Sequence, residues 1–208
     1  MTKNILLFFF IFFLSFNTYS QKFDLGIKVG PNFATQKLSL IEGVESITGY
    51  HVGTYMYIKL PLIFGIQAEA QYSTQGGEFQ LNTVINKNNL SYINIPVLIR
   101  SDFGPINFHF GPQFGLLTDA SLSLNGIKTN IKNQFISRDF SFVAGLGIRL
   151  PARFGLSIRY VKGLKNVSDI NVINSETKNT MFQLSLKYSL VQIGIKKPKK
   201  KTLEWYKI

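Results

Sequence analysis

The stretch FSFVAGLGIRLPARFGLSIRY, Phe140 to Tyr160, decides the fold. In steps of two, Phe140, Phe142, Ala144, Leu146, Ile148 and Leu150 fall on one face. Asp139, Ser141, Val143, Gly145, Gly147 and Arg149 fall on the other. After a tight break at Pro151 and Ala152, Phe154, Leu156, Ile158 and Tyr160 make a second apolar row backed by Gly155, Ser157 and Arg159. Alternation with period two marks a strand between two environments. Two such strands joined by a minimal turn make an antiparallel hairpin. The face carrying Gly, Ser and Arg is no ordinary core. The pattern fits a wall with lipid outside and a small, polar, packed interior.

The same alternation recurs along the chain. Phe23, Leu25, Ile27 and Val29 oppose Asp24, Gly26, Lys28 and Gly30; Val52, Thr54, Met56 and Ile58 oppose His51, Gly53, Tyr55, Tyr57 and Lys59. Phe64, Ile66, Ala68, Ala70 and Tyr72 oppose Gln67, Glu69 and Gln71; Ile93, Ile95, Val97 and Ile99 oppose Tyr92, Asn94, Pro96 and Arg100. Ile106, Phe108, Phe110, Phe114 and Leu116 oppose Asn107, His109, Gly111, Gln113 and Gly115; Phe182, Leu184, Leu186, Tyr188 and Leu190 oppose Gln183, Ser185 and Lys187. Eight strands result, each close to the about 9–11 residues of a tilted spanning strand. Short connections are expected at Pro61, Asp102–Pro105 and Pro151. Long polar loops are expected over Ala34–Ile47, Thr74–Asn88, Thr118–Ser137 and Gly163–Asn179. Short turns on the periplasmic side and long loops outside are the habit of transmembrane barrels.

The chain has 208 residues, 45% of them apolar and 14% aromatic, enough for one domain. It has no cysteine, which excludes disulfides, thiolate metal sites and a cysteine nucleophile. Residues 1–20 read as a signal peptide. Lys3 is the basic flank, Ile5–Phe16 the apolar run, and Thr18 and Ser20 the small residues before a cut at Gln21. That apolar run is shorter than the roughly 20 residues of a spanning helix. Residues 21–190 are read as the barrel and 191–208 as a basic tail. Formal net charge is +12, but six lysines fall between Lys196 and the C-terminus, so a general nucleic-acid-binding surface is not indicated.

Alternation places Lys28, Lys59, Glu69, Arg100, Arg149, Arg159 and Lys187 inside, with Asp24 and Asp139 nearer the ends. Unpaired buried charge is expensive, so Glu69 is expected to pair with one or more of these cations. An eight-stranded barrel is just wide enough for side chains to fill, which favours a structural charge network over an ion path. His51 and His109 also point inward, without a nucleophile motif or metal-ligand spacing. No catalytic residue, metal or cofactor is assigned.

GIKVGPNF after the signal, YINIPVLIR, FHFGPQFGLL and the closing NTMFQLSLKYSL resemble the PorT-like outer-membrane β-barrel family over about Phe23–Leu190. The resemblance implies an eight-stranded barrel in a Gram-negative outer membrane and no shared catalytic residues. Its founding members are accessory parts of a protein-secretion apparatus. The tail VQIGIKKPKKKTLEWYKI departs from barrels that end at the last strand. It reads as a solvated periplasmic segment. The sharper alternative puts Lys197, Lys199, Lys200, Lys201 and Trp205 on anionic lipid.

The expected fold is therefore all-β: an eight-stranded antiparallel up-and-down transmembrane β-barrel in the outer membrane. Its expected role is structural, binding or accessory, not enzymatic, and is carried by the extracellular loops. The expected partners are outer-membrane lipid, the barrel-assembly machinery and a protein or glycan at the loops. The alternatives are the secretion accessory and a soluble lipocalin-like carrier of an apolar ligand, whose faces would be reversed.

Overall fold

The computed structural model describes residues 22–38, 44–60, 63–81, 84–124, 127–168 and 177–194; of residues 22, 37–38, 79–81 and 84–85 it describes the backbone alone. The expected signal peptide lies outside the described residues, as do Pro61, Leu62 and the tail with Lys197, Lys199, Lys200, Lys201 and Trp205.

Eight strands form a ring: β1 (Lys22–Leu38), β2 (Ile47–Lys59), β3 (Phe64–Leu81), β4 (Val84–Phe103), β5 (Ile106–Leu124), β7 (Arg138–Arg149), β8 (Phe154–Gly163) and β9 (Thr177–Gly194). A short strand, β6 (Ile127–Asn130), pairs with the upper end of β5 outside the ring. Each ring strand is antiparallel to its neighbours, and β9 closes on β1 from Lys22↔Gly194 to Leu38↔Thr177. Closure satisfies the backbone of both chain ends, which lipid requires.

The register fixes the barrel's width. Paired partners run from Phe23 to Ile58, Ile66, Ile99, Phe110, Ala144, Tyr160 and Phe182, and return to β1 at Phe33. The shift is ten residues on eight strands. With strands about 4.8 Å apart and about 3.3 Å of rise per residue, the tilt is about 40° and the backbone radius about 8 Å. Side chains from opposite walls therefore meet on the axis. Every member of that row is apolar and faces out, and the reversed faces of a lipocalin-like carrier do not occur.

On four strands the outward, mainly apolar rows have one length. They run from Phe23 to Phe33 on β1, Tyr50 to Leu60 on β2, Ile93 to Phe103 on β4 and Ile106 to Leu116 on β5. Ten residues at that tilt span about 25 Å, the height of the apolar band in such barrels. Beyond it stand Thr35, Thr48, Ser91 and Thr118. Aromatic pairs mark both edges, with Phe103–Phe108 and Phe154–Tyr188 toward the short turns and Tyr50–Tyr72 and Tyr160–Phe182 toward the far side.

Two expected loops are mostly sheet. Gln75↔Leu90 through Leu81↔Val84 pair across Thr74–Asn88, and β5, β6 and a single 3₁₀ turn (Lys132–Gln134) occupy most of Thr118–Ser137. Above the lipid both faces meet water or loop, so a polar strand has no reason to alternate. β1 likewise continues to Leu38, and β9 to Gly194, four residues past Leu190.

The β7–β8 turn places two non-glycine residues in the left-handed region, Ala152 at φ 55° and Arg153 at φ 66°. This is the backbone of a type I′ hairpin turn, in which glycine is preferred. Each left-handed non-glycine residue costs about 1 kcal/mol or more. Ala152→Gly is expected to stabilise the barrel by up to about 1 kcal/mol, read as a higher urea midpoint for unfolding from detergent or lipid.

Candidate functional site

The lumen is built in layers, as one strand shows. Along β1 the inward residues are Asp24, Gly26, Lys28, Gly30, Asn32, Ala34 and Gln36. Charge lies toward the short turns, amides in the middle, then an apolar position, then amide again.

The charged layer centres on Glu69 of β3. Lys28 Nζ of β1 lies 2.9 Å from Glu69 Oε2, and Arg159 of β8 donates to both carboxylate oxygens, Nη1 to Oε2 at 2.7 Å and Nη2 to Oε1. The side chains of Lys28, Glu69 and Arg159 are fully buried. A planar fork on a carboxylate is the strong form of this contact. Arg159 crosses the lumen because β7 carries Gly145 beside it. A methyl group there would sit 2.7 Å from Arg159 Cγ and 2.8 Å from His109 Nε2.

Arg159 also donates through Nε to His109 Nε2 at 2.9 Å. Because Nε can only donate, the His109 hydrogen sits on Nδ1, which donates to Asn107 Oδ1 at 3.2 Å. Gln67 couples this cluster to a second one by donating to Glu69 Oε1 and accepting from Arg100 Nη1 at 2.9 Å. Asp102 then takes Arg100 Nε at 2.9 Å, Arg149 Nη2 at 2.8 Å and the Tyr57 hydroxyl at 2.9 Å, with the Arg100 guanidinium 4.3 Å above the Tyr57 ring.

Of the residues expected here, Lys28, Glu69, Arg159, Arg100 and Arg149 thus join one connected chain of contacts. Lys187 is buried under the Tyr55 ring, 5.6 Å from its centroid, without a hydrogen bond or ion pair among the described residues. Lys59 is half-buried at the lower end of β2 and makes neither contact among them. Asp24 accepts from the Tyr55 and Ser189 hydroxyls. Asp102 and Gln67 join the network without having been singled out in the sequence. Asp102 reads there as a turn residue, and its spacing of two from Arg100 is the signal that could have found it.

Above the charges, His51 Nδ1 lies 2.7 Å from Asn32 Oδ1 and His51 Nε2 lies 2.9 Å from Ser185 Oγ. Gln183 Nε2 shares Asn32 Oδ1 at 3.1 Å. The order serine, histidine, orienting amide is that of an acyl-transfer site. Here all three side chains are wholly buried, with no surface for a substrate. Ala34, Leu98, Val143, Val161 and Met181 form an apolar cluster that slants across the lumen and reaches the charged layer at Leu98, which pairs with Gln67. The outer mouth is filled by Leu90, Tyr92, Leu117 and Ala120 under Ile131, Phe135 and Val167. Ile136 N donates to Val167 O at 2.7 Å, tying the two covering segments together. Among the described residues no group of His, Asp and Glu side chains is placed to hold a metal.

Glu69→Gln leaves two buried cations facing an amide, and removing one partner of such a cluster costs about 3–5 kcal/mol. The variant is expected to lose its heat-dependent gel shift at clearly lower urea than the parent, whereas Glu78→Gln, above the lipid band, is expected to stay within about 0.5 kcal/mol.

A family model described as outer membrane protein beta-barrel domain matches residues 18–169. A search of curated proteins returned no match. Among solved structures, Neisserial surface protein A is 13% identical at a TM-score of 0.54, covering 79% of this chain and 96% of that one. Ail of Yersinia pestis is 12% identical at a TM-score of 0.49, covering 83% and 99%, and OprG of Pseudomonas aeruginosa is 12% identical at 0.45, covering 82% and 95%. At 13% identity the likeness to Neisserial surface protein A speaks to fold alone. The family match agrees with the closed ring, the apolar outer band and the polar lumen: the chain is an outer-membrane protein and belongs to the outer membrane protein beta-barrel domain family.

Proposed function

We propose that this barrel is a non-enzymatic surface-binding protein whose working part is the sheet that β3, β4, β5 and β6 raise above the lipid. The observation that carries this reading is the asymmetry of the two ends. At the periplasmic end the β4–β5 and β7–β8 turns are tight, whereas at the outer end β3 and β4 continue as paired strands from Thr74 and Ser91 to Leu81 and Val84, beside the Leu117–Leu124 segment of β5. Rigid scaffolds commonly carry recognition on such outward segments. β6 ends that sheet with all four residues exposed, Ile127 at 72%, and its outer edge pairs with no other strand among the described residues. A protein strand or a glycan is the kind of partner such an edge and its polar faces fit.

Two further observations support a binding role over transport or catalysis. The lumen is crossed by the Glu69–Arg159 pair and closed again by the apolar fill of the outer mouth. The His51–Ser185 contact is buried inside the lumen. A PorT-like accessory place in a secretion apparatus is the narrower alternative and rests on the strand motifs alone.

The chain has no native cysteine, so single cysteines report topology directly. Lys128→Cys on β6 is expected to react with an impermeant maleimide on intact cells, and Arg153→Cys in the β7–β8 turn only after lysis; the reverse pattern would invert the barrel. Cells carrying the chain are expected to bind an immobilised protein or glycan panel in a way that deletion of Gly77–Asn88 abolishes while the gel shift persists. Binding indifferent to that deletion would sink the reading. In planar bilayers the folded protein is expected to give no steady single-channel steps.

A further inference from the structure

The periplasmic third of the lumen is not filled. A cavity of about 160 Å³ lies there, lined among others by Asp24, Arg100, Asn107, Arg149, Arg153 and Lys187. Its mouth is at the β7–β8 turn, where the Arg149 side chain is 34% exposed while the neighbouring Asp102 side chain is 3% exposed. Against a water's share of about 30 Å³, the space holds about five waters or one small anion with a few of them.

The electrostatics of this end do not balance. Five cations, Lys28, Arg100, Arg149, Arg159 and Lys187, face three carboxylates, Asp24, Glu69 and Asp102. Glu69 is spent on Lys28 and Arg159, and Asp102 on Arg100 and Arg149. Asp24 is turned toward the Tyr55 and Ser189 hydroxyls and forms no ion pair among the described residues. Lys187 is left 7% exposed, its Nζ 5.6 Å from the centre of the Tyr55 ring and in no hydrogen bond or ion pair among the described residues. Arg149 Nε is also buried without a hydrogen-bond acceptor. A buried cation without a counter-charge is among the costlier features a protein can keep. Here Lys187, without an ion pair among the described residues, and the unsatisfied Nε of Arg149, whose Nη2 is held by Asp102, border one cavity, with Asn107 and Arg153 also in its lining. Arginine forks and a lysine point charge together are the usual equipment for a phosphate or carboxylate.

We infer that this cavity is a binding site for a small multi-oxygen anion, a phosphate or a carboxylate, entering from the periplasm. The anion's oxygens would lie between Lys187, which supplies the unpaired charge, and Arg149, which supplies its free Nε–H, with Asn107 donating from the side. Asp24 also lines the cavity, its carboxylate held by the Tyr55 and Ser189 hydroxyls. The site is independent of the outer sheet and of whatever that sheet binds.

The test is calorimetric titration of the purified, folded full chain in zwitterionic detergent with sodium phosphate and, separately, sodium succinate, at constant ionic strength set by chloride. Saturable one-to-one heat is expected with at least one of them. Phosphate alone would identify a phosphate-bearing ligand; succinate alone, a carboxylate. Lys187→Met and Arg149→Gln are each expected to weaken binding at least tenfold while keeping the heat-dependent gel shift, and Lys128→Gln on β6 to leave it unchanged. Arg149 sits at the open mouth, so its variant stays informative should Lys187→Met fail to fold. Absence of saturable heat with either anion, or undiminished binding in a folded Arg149→Gln protein, would overturn the proposal.

Discussion

A peptide group in lipid has no water to bond, and the rest of this structure follows from that. Every strand must find two neighbours, so the sheet must close. Closing with a shift of ten residues on eight strands leaves a backbone radius of about 8 Å. That radius in turn dictates the interior: side chains from facing walls collide unless some are absent. Gly145 beside Arg159, and Gly147 beside Asn107, are where the wall gives way to long polar groups. The charged network is thus the consequence of a narrow tube whose outside, being fully apolar, leaves the polar residues only one place to go.

Much of this could be read from the residues. Lipid on one side and packed polar groups on the other force a strict period of two, so the eight ring strands and the inward placement of Glu69 and its cations are legible wherever the chain crosses the apolar band. Partner choice is less so. Glu69 and Arg159 stand 90 residues apart, and only the shift of the closed ring brings β3 and β8 to opposite walls at one height. Alternation also fails where its cause fails. Above the band, GGEFQL and VINKNN remain paired strands with no apolar row to show it. The apolar cluster of Leu98, Val143, Val161 and Met181 escapes notice because each strand contributes a single residue to a face otherwise polar.

The two ends of the lumen are filled on different principles. The outer mouth is apolar, with Phe135 and Val167 brought down by chain that lies beyond the strands. Its closure uses area, which is nondirectional and tolerant of substitution. The inner half is held by directional bonds, each oxygen of Glu69 and Asp102 having at least one named donor. Such a network is directional, and a change to any one of its donors is felt by the carboxylate it holds.

The seam between the first and last strands has a consequence for how the molecule is divided. The family match ends at residue 169, yet the strand that closes the ring begins at Thr177 and contacts β1 over nearly its whole length. A chain shortened to the matched boundary would expose the hydrogen-bonding edges of β1 and β8 along the full height of the bilayer. In water those edges would recruit each other between molecules, and in the membrane no lipid could satisfy them. The unit of inheritance recognised by likeness and the unit that closes the ring therefore differ here by one strand.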